Sequence, residues 1–389
     1  MSFDEIIDRR GTHSAKWDKM EAIYGVSPDG GLAMWVADME FRPPQCVQDA
    51  VGRMHAQGVY GYYGGDDGYR EAIRWWMDMR HGWTIDPAHI LTTHGLVNAV
   101  GLCVDAYTQP GDAVVLFTPV YHAFARVIEA AGREVRELEM PVVDGKYTLD
   151  IDAFDEGMQG NERMAIWCSP HNPGGRVWTA EENAAIADFA TRYDLTLVSD
   201  EIHQDLVYPG NIHRPMALTP GIGDRLVTLN APSKTFNIAG SHTGNVIIAD
   251  NDLRASFAAR IAALGLSPNS FGLEMAEAAY SPEGAAWVDD LMAYLDGNRR
   301  LFDATIADIP GLTSMPLEAT YLSWVDFSGT GMAPTEAARR VEQEARIAAN
   351  HGATFGKGGD SFLRFNIGMP RAQIKDACAR LEAAFADLQ

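Results

Sequence analysis

Short apolar runs alternate with stretches of helical period through the middle of the chain, and their order predicts the fold. Pro43-Pro44 opens a segment with Val47, Val51 and Met54 at helical spacing. A second helix runs from Tyr69 to Arg80, after the glycine- and tyrosine-rich residues 59–68. From Ile90 the pattern changes. Residues 90–93, 113–117, 163–168, 195–199, 226–229 and 244–249 read as short buried strands. Between them lie a helix over 96–107, one opened by Thr118-Pro119-Val120-Tyr121, and one that runs from the capping-box pattern Thr179-Ala-Glu-Glu182 to Tyr193. Strands alternating with helices predict an α/β fold with a mostly parallel, doubly wound sheet. After Phe271 long helices take over, at 273–280 and 284–306. A strand at 320–326, a helix at 334–351, a strand at 362–367 and a last helix at 371–389 follow. This predicts two domains: a large one over residues 46–280, and a small α+β one made of 1–45 and 281–389.

Composition narrows the function classes. A hydrophobic share of 47% in 389 residues suffices for a packed core. The net charge, 31 − 53 = −22, argues against nucleic acid and anionic membranes as partners. Four scattered cysteines (Cys46, Cys103, Cys168, Cys378) form no Cys-x-x-Cys pair, and three sit in apolar surroundings as core thiols. No apolar leader opens the chain and no apolar run approaches the roughly 20 residues of a membrane span, so a cytoplasmic location is expected. No His-Glu-x-x-His or comparable ligand spacing suggests a metal site.

Candidate chemistry gathers just past the strand ends, which share one edge of a parallel sheet. There stand Gly95, Tyr121, Asn172, Asp200 and Lys234. Lys234 lies on the turn after strand 226–229, where a lysine of lowered pKa can condense with an aldehyde cofactor. A pyridoxal phosphate site needs such a lysine, and an acid beside the pyridine nitrogen, for which Asp200 is offered. Asn172 can donate to the phenolic oxygen, and Tyr121 can cover the ring face. The bare turn Gly95-Leu96-Val97 opens a helix toward a phosphate. An amino-acid substrate adds a carboxylate clamp, and Arg364 sits in an apolar strand where a guanidinium is costly without a task. Taken singly, each has a plainer reading: a surface lysine, a helix N-cap aspartate, an Asn-Pro turn, a core tyrosine, a buried ion pair.

The motifs Ser199-Asp-Glu-Ile-His203, Ala231-Pro-Ser-Lys-Thr-Phe-Asn-Ile-Ala-Gly240 and Ser169-Pro-His-Asn-Pro-Gly-Gly-Arg-Val-Trp178 resemble fold-type I, class I/II aminotransferase-like enzymes. The opening Phe3 to Asp18, with Val36-Ala-Asp-Met-Glu-Phe41 and Tyr60-Gly-Tyr-Tyr63, resembles their MalY/PatB branch of cystathionine β-lyases and cysteine-S-conjugate β-lyases. The resemblance implies pyridoxal 5′-phosphate, an amino-acid substrate and a homodimer with shared active sites. It implies that Lys234 binds the aldehyde, Asp200 meets the pyridinium, Asn172 meets the phenolic oxygen and Tyr121 stacks on the ring. Gly95, Leu96, Val97 and Ser233 would surround the phosphate, Tyr62 would reach the neighbouring subunit's phosphate, and Arg364 would hold the substrate carboxylate. His203 takes a position where many aminotransferases carry tyrosine. Residues from Asp38 to Phe41, with the tyrosine loop, would line the substrate side chain's pocket. The implied reaction is β-elimination from an L-cysteine thioether. Transamination is the alternative within enzymes, and a regulatory binding protein with vestigial activity the alternative outside them. Three positions depart from the pattern: Ala231 and Gly174 each replace a hydroxyl residue, and His242 stands where aminotransferases usually carry a phosphate-binding arginine.

Overall fold

The computed structural model describes residues 2–388. Seven strands form the principal sheet: β1 (Ile90–Thr93), β2 (Ala113–Thr118), β3 (Glu134–Glu139), β4 (Glu162–Cys168), β5 (Thr196–Asp200), β6 (Leu226–Asn230) and β7 (Gly244–Ile247), in the order β1-β7-β6-β5-β4-β2-β3. The pairs β2–β3, β2–β4, β4–β5 and β5–β6 are parallel, and β7 runs antiparallel between β1 and β6. The sheet is therefore mostly parallel, and Thr93, Thr118, Cys168, Asp200 and Asn230 end at one edge.

Its inner strands are largely apolar because both faces are covered. Val115, Phe117, Ala165, Trp167 and Leu197 pack on one side with Trp178, Ile186 and Phe189. Val114, Leu116, Met164, Ile166 and Val198 pack on the other with Ala99, Val100 and Phe257. The two-residue alternation of the pleat assigns each side chain to its face. Strand β3 escapes the apolar pattern. Its sequence Glu-Val-Arg-Glu-Leu-Glu is largely half-exposed, as suits an edge strand protected by charge.

The C-terminal part builds a four-stranded antiparallel sheet from β8 (Thr313–Ser314), β9 (Leu322–Asp326), β10 (Asn350–His351) and β11 (Phe362–Asn366), ordered β8-β9-β11-β10. The 27-residue helix Pro282–Asp308 leads into it. Helix Arg371–Ala384 packs along that long helix.

The helix expected over 334–351 is a correction. An α-helix covers only Pro334–Arg339 and widens into a π-turn over Arg340–Glu344. Arg346 then adopts a φ of 55°, in the left-handed region that ends a helix. Ile347–Ala348 pairs in parallel with Leu32–Ala33. Ala345, Ile347, Ala348 and Ala349 are all buried, and such a run has no period that separates a strand from a buried helix. The pairing ties the N-terminal segment to the C-terminal sheet. No helix among the described residues is long and apolar enough to cross a membrane.

Candidate active site

The polar strand ends converge on a cavity of about 250 Å³. Gly95, Leu96, Val97, Tyr121, Asn172, Asp200, His203, Ser233 and Lys234 line it, as do His94, Ala37, His242 and Thr243. Each is delivered by its own element. Thr93 ends β1, and Gly95 (φ 84°) turns the chain into helix Leu96–Tyr107, whose first turn has no side-chain cap. The opening amides of that helix are an anion-binding feature. Asp200 is the last residue of β5. Lys234 sits in the short helix Pro232–Thr235, started by Pro232 directly after β6.

The electrostatics are those of a site short of partners. Asp200 is 5% exposed, and burial raises its carboxyl to about 7. Its hydrogen bond is from the Ile202 amide, at 3.1 Å. Burial lowers the Lys234 ammonium to about 8; Arg364 adds to this, while Asp38 and Asp200 oppose it. Lys234 Nζ donates to the Ala37 carbonyl at 2.7 Å. His203 is buried with Nδ1 unpartnered, and burial drives its pKa well below the ordinary value, so the ring is neutral. Burial raises the Tyr121 hydroxyl above its usual value, which keeps it protonated.

Arg364 lies just behind this cavity. It is 2% exposed and stands over the Phe355 ring at 4.8 Å. It donates to Asn172 Oδ1 (2.8 Å), Asn350 Oδ1 (2.6 Å) and the Trp35 carbonyl (3.1 Å). Its Nε–H has no partner, and it forms no ion pair among the described residues. The plainer reading of this residue, a buried structural ion pair, therefore does not hold. Burial depresses the guanidinium to about 10.

Two expected residues stand apart from the cavity. Tyr62 is fully exposed, beside exposed Val59 and Tyr60. The Asp38 carboxylate is occupied: Arg9 holds both its oxygens at 3.0 Å, and Lys16 lies 3.6 Å away. Burial would raise this carboxyl, but Lys16 and Arg9 leave it below its ordinary value. The cavity takes the neighbouring Ala37 from this stretch instead.

Several residues that organise the site are not singled out by the sequence. Asn237 accepts from the Met39 amide and donates to the Met39 and Phe41 carbonyls, all at 2.7–2.8 Å, so the lysine turn is tied to residues 39–41. Asn366, on the same face of β11 as Arg364, donates to the Val36 and Asp38 carbonyls. Tyr321 donates to the Ala37 carbonyl at 2.9 Å. Behind the lysine, Asp205 accepts from Thr235 Oγ1 (2.8 Å), Trp76 Nε1 (2.9 Å) and His81 Nε2 (2.8 Å). The spacing Lys-Thr-Phe-Asn placed Asn237 near Lys234, but its partners lie almost two hundred residues away in sequence.

Comparison with known proteins agrees with this geometry. The chain is 37% identical to cystathionine β-lyase PatB of Bacillus subtilis (strain 168), over 99% of this chain and 100% of the relative. Its fold matches cystalysin from Treponema denticola, which contains a pyridoxal 5′-phosphate cofactor, with a TM-score of 0.94, 35% identity and coverage of 100% and 99% of the two chains. It also matches the pyridoxal-phosphate-bound C-S lyase from Staphylococcus hominis, with a TM-score of 0.90, 28% identity and coverage of 99% and 98%. Residues 36–381 match the model for aminotransferase class I and II, and the chain belongs to that family.

Proposed function

We propose that this chain is a pyridoxal-phosphate-dependent carbon–sulfur β-lyase that cleaves cystathionine or another L-cysteine S-conjugate to a thiol, pyruvate and ammonia. The observation that carries the reading is one convergence. A lysine with its pKa lowered to about 8 and a buried carboxylate without a cation face one cavity. One hydrogen bond behind Asn172 waits a guanidinium without a carboxylate. Each lacks the partner that the bound molecules would bring: a pyridine nitrogen for the carboxyl, an aldehyde for the amine and a substrate carboxylate for the guanidinium. Similarity to relatives named as β-lyases and C-S lyases selects elimination over transamination.

The residues fit the cofactor. Asp200, unstable as a buried anion, is relieved by a protonated ring nitrogen. Lys234 is available as a neutral amine near working pH to bind the aldehyde. The uncapped amides of Gly95, Leu96 and Val97, with Ser233, suit the phosphate. When bound, pyridoxal phosphate supplies the electron sink that acidifies the substrate Cα–H and lets a β-thiolate depart.

The chain's own groups then divide the work. Lys234 Nζ moves the Cα proton, and its lowered pKa places it close to the optimum for a general base. Asp200 would keep the ring nitrogen protonated. Asn172, its Oδ1 engaged by Arg364, has its amide N–H left for the phenolic oxygen. Tyr121 would cover the ring, and neutral His203 lines the same cavity without adding charge. Arg364 offers its unpartnered Nε–H to the substrate carboxylate and orients Cα. Asp38 serves from outside the cavity, anchoring the segment whose Ala37 carbonyl holds Lys234. Water that completes hydrolysis releases pyruvate and ammonia.

The active unit is a homodimer in this reading. The exposed tyrosine loop at 59–62 supports it, since Tyr62 is fully exposed on its own subunit and would be buried against a partner, where it would meet the partner's phosphate. The four free cysteines fit a reducing cytoplasm.

The test mixes the protein, pyridoxal phosphate and L-cystathionine with no keto acid. Pyruvate and free thiol in equal amounts support the lyase. Turnover only after a keto acid is added would replace it with an aminotransferase, and a protein that binds no cofactor would overturn both.

A further inference from the structure

The cofactor's phosphate carries two negative charges in a chain of net charge −22, yet among the described residues no arginine lines the cavity. The titratable groups that line it are His94, Tyr121, Cys168, Asp200, His203, Lys234 and His242. Lys234 is committed to the aldehyde, and His203 is held neutral. That leaves His94 and His242 as side chains able to bring positive charge to the Gly95 end.

Strand pairing separates the two. The antiparallel ladder matches Gly244 with Thr93 and Asn245 with Thr92. His242 stands in the turn just before the ladder and Gly95 in the turn just after its partner strand. The two turns are neighbours, because a Cβ built on Gly95 would stand 4.0 Å from His242 Nδ1. The imidazole therefore faces the turn whose amides open helix Leu96–Tyr107. His242 also holds φ 46° and ψ 52°, the left-handed region that glycine or asparagine occupies at less cost. It does so as the cap of the short helix Ala239–Ser241, and its exposed side chain makes no hydrogen bond or ion pair among the described residues.

We infer that His242 is this chain's side-chain donor to the cofactor phosphate, in place of an arginine. The inference rests on the pyridoxal-phosphate reading and adds to it which residue of this chain binds the anion. An imidazole offers one directed N–H where a guanidinium offers a fork, so the helix amides and Ser233 carry a larger share of the phosphate here.

The experiment measures calorimetric affinity of the cofactor-free protein for 4′-deoxypyridoxine 5′-phosphate, which cannot condense with a lysine, and for its unphosphorylated counterpart. His242→Ala should weaken the phosphorylated ligand by about tenfold or more and leave the other unchanged. His242→Arg should restore the affinity, and His94→Ala should cost much less than His242→Ala. Equal affinity of His242→Ala and the unsubstituted protein for the phosphorylated ligand would overturn the inference. So would an equal loss for both ligands, which would mark a structural role. If the unsubstituted protein itself shows no preference for the phosphorylated ligand, the cofactor reading fails, an outcome distinct from the failure of His242 alone.

Discussion

Two clusters of buried charge lie on either side of Ala37, and they are built in opposite ways. On one side Lys16, which is fully buried, pairs with Glu40 at 2.7 Å and donates to the Asp38 carbonyl at 2.9 Å. Arg9 holds Asp38 and Glu40, and Trp17 Nε1 donates to Glu40 at 3.2 Å. Two cations meet two anions, and burial is offset by mutual attraction and hydrogen bonds. On the other side Asp200 and Arg364 are buried and Lys234 is half-buried, but none forms an ion pair among the described residues. Their pKa values move toward neutrality, to about 8, about 7 and about 10. A closed cluster holds a structure together. An open one stores unfavourable charge that a ligand can relieve, so this half of the comparison marks the functional half of the molecule.

The sharpest break is Lys234→Ala, which removes the group that binds aldehyde and moves the proton. Pyruvate release should fall by about 10³-fold or more, with little change in thermal stability, as a coupled assay and a melting curve will read. Lys16→Met attacks the closed cluster and leaves Glu40 and Asp38 with less compensation. It should cost about 3–5 kcal/mol, measured by denaturant unfolding. Asn237→Ala cuts the link between the two sides, since its amide ties the lysine turn to residues 39–41. A loss of about 1–3 kcal/mol is expected, with a weakened substrate KM.

A further test is a pH dependence. Asp200 has its folded-state value raised from 3.8 to about 7, so the folded state binds this proton more tightly than the unfolded state. Its contribution to stability is present below about pH 4 and lost as pH rises through about 7. In the cofactor-free protein, Asp200→Asn should therefore gain relative stability across that window. A difference melting curve that stays flat from pH 4 to 8 would remove Asp200 from the open cluster.

The strands that place this cluster were legible because each is a short apolar run closed by glycine, proline or a polar residue. Their common edge then follows from parallel topology. Lys234, Asp200, Asn172 and Arg364 could be picked out because a polar group at a strand end, or within an apolar strand, needs a reason. The closed cluster was not legible. Lys16 and Glu40 sit in loop-rich sequence with no period, and they meet only in the folded segment that Leu32–Ala33 ties to Ile347–Ala348. For the same reason Asp38, which sequence assigns to the substrate pocket, is found holding Arg9. The strand at Ile347 was hidden by an alanine-rich stretch that reads as helix until a partner strand is known.

The central claim, that the open cluster waits for a ligand, is tested most directly on Arg364→Met by following steady-state β-elimination and thermal melting on the same preparation. The account predicts a smaller loss of melting temperature than Lys16→Met gives, because three hydrogen bonds but no ion pair are lost. It predicts a fall of roughly 10- to 100-fold in kcat/KM for L-cystathionine, from losing a charge-assisted contact to the carboxylate. A variant that melts as early as Lys16→Met while cleaving its substrate at the original rate would contradict it, and would make Arg364 a structural residue.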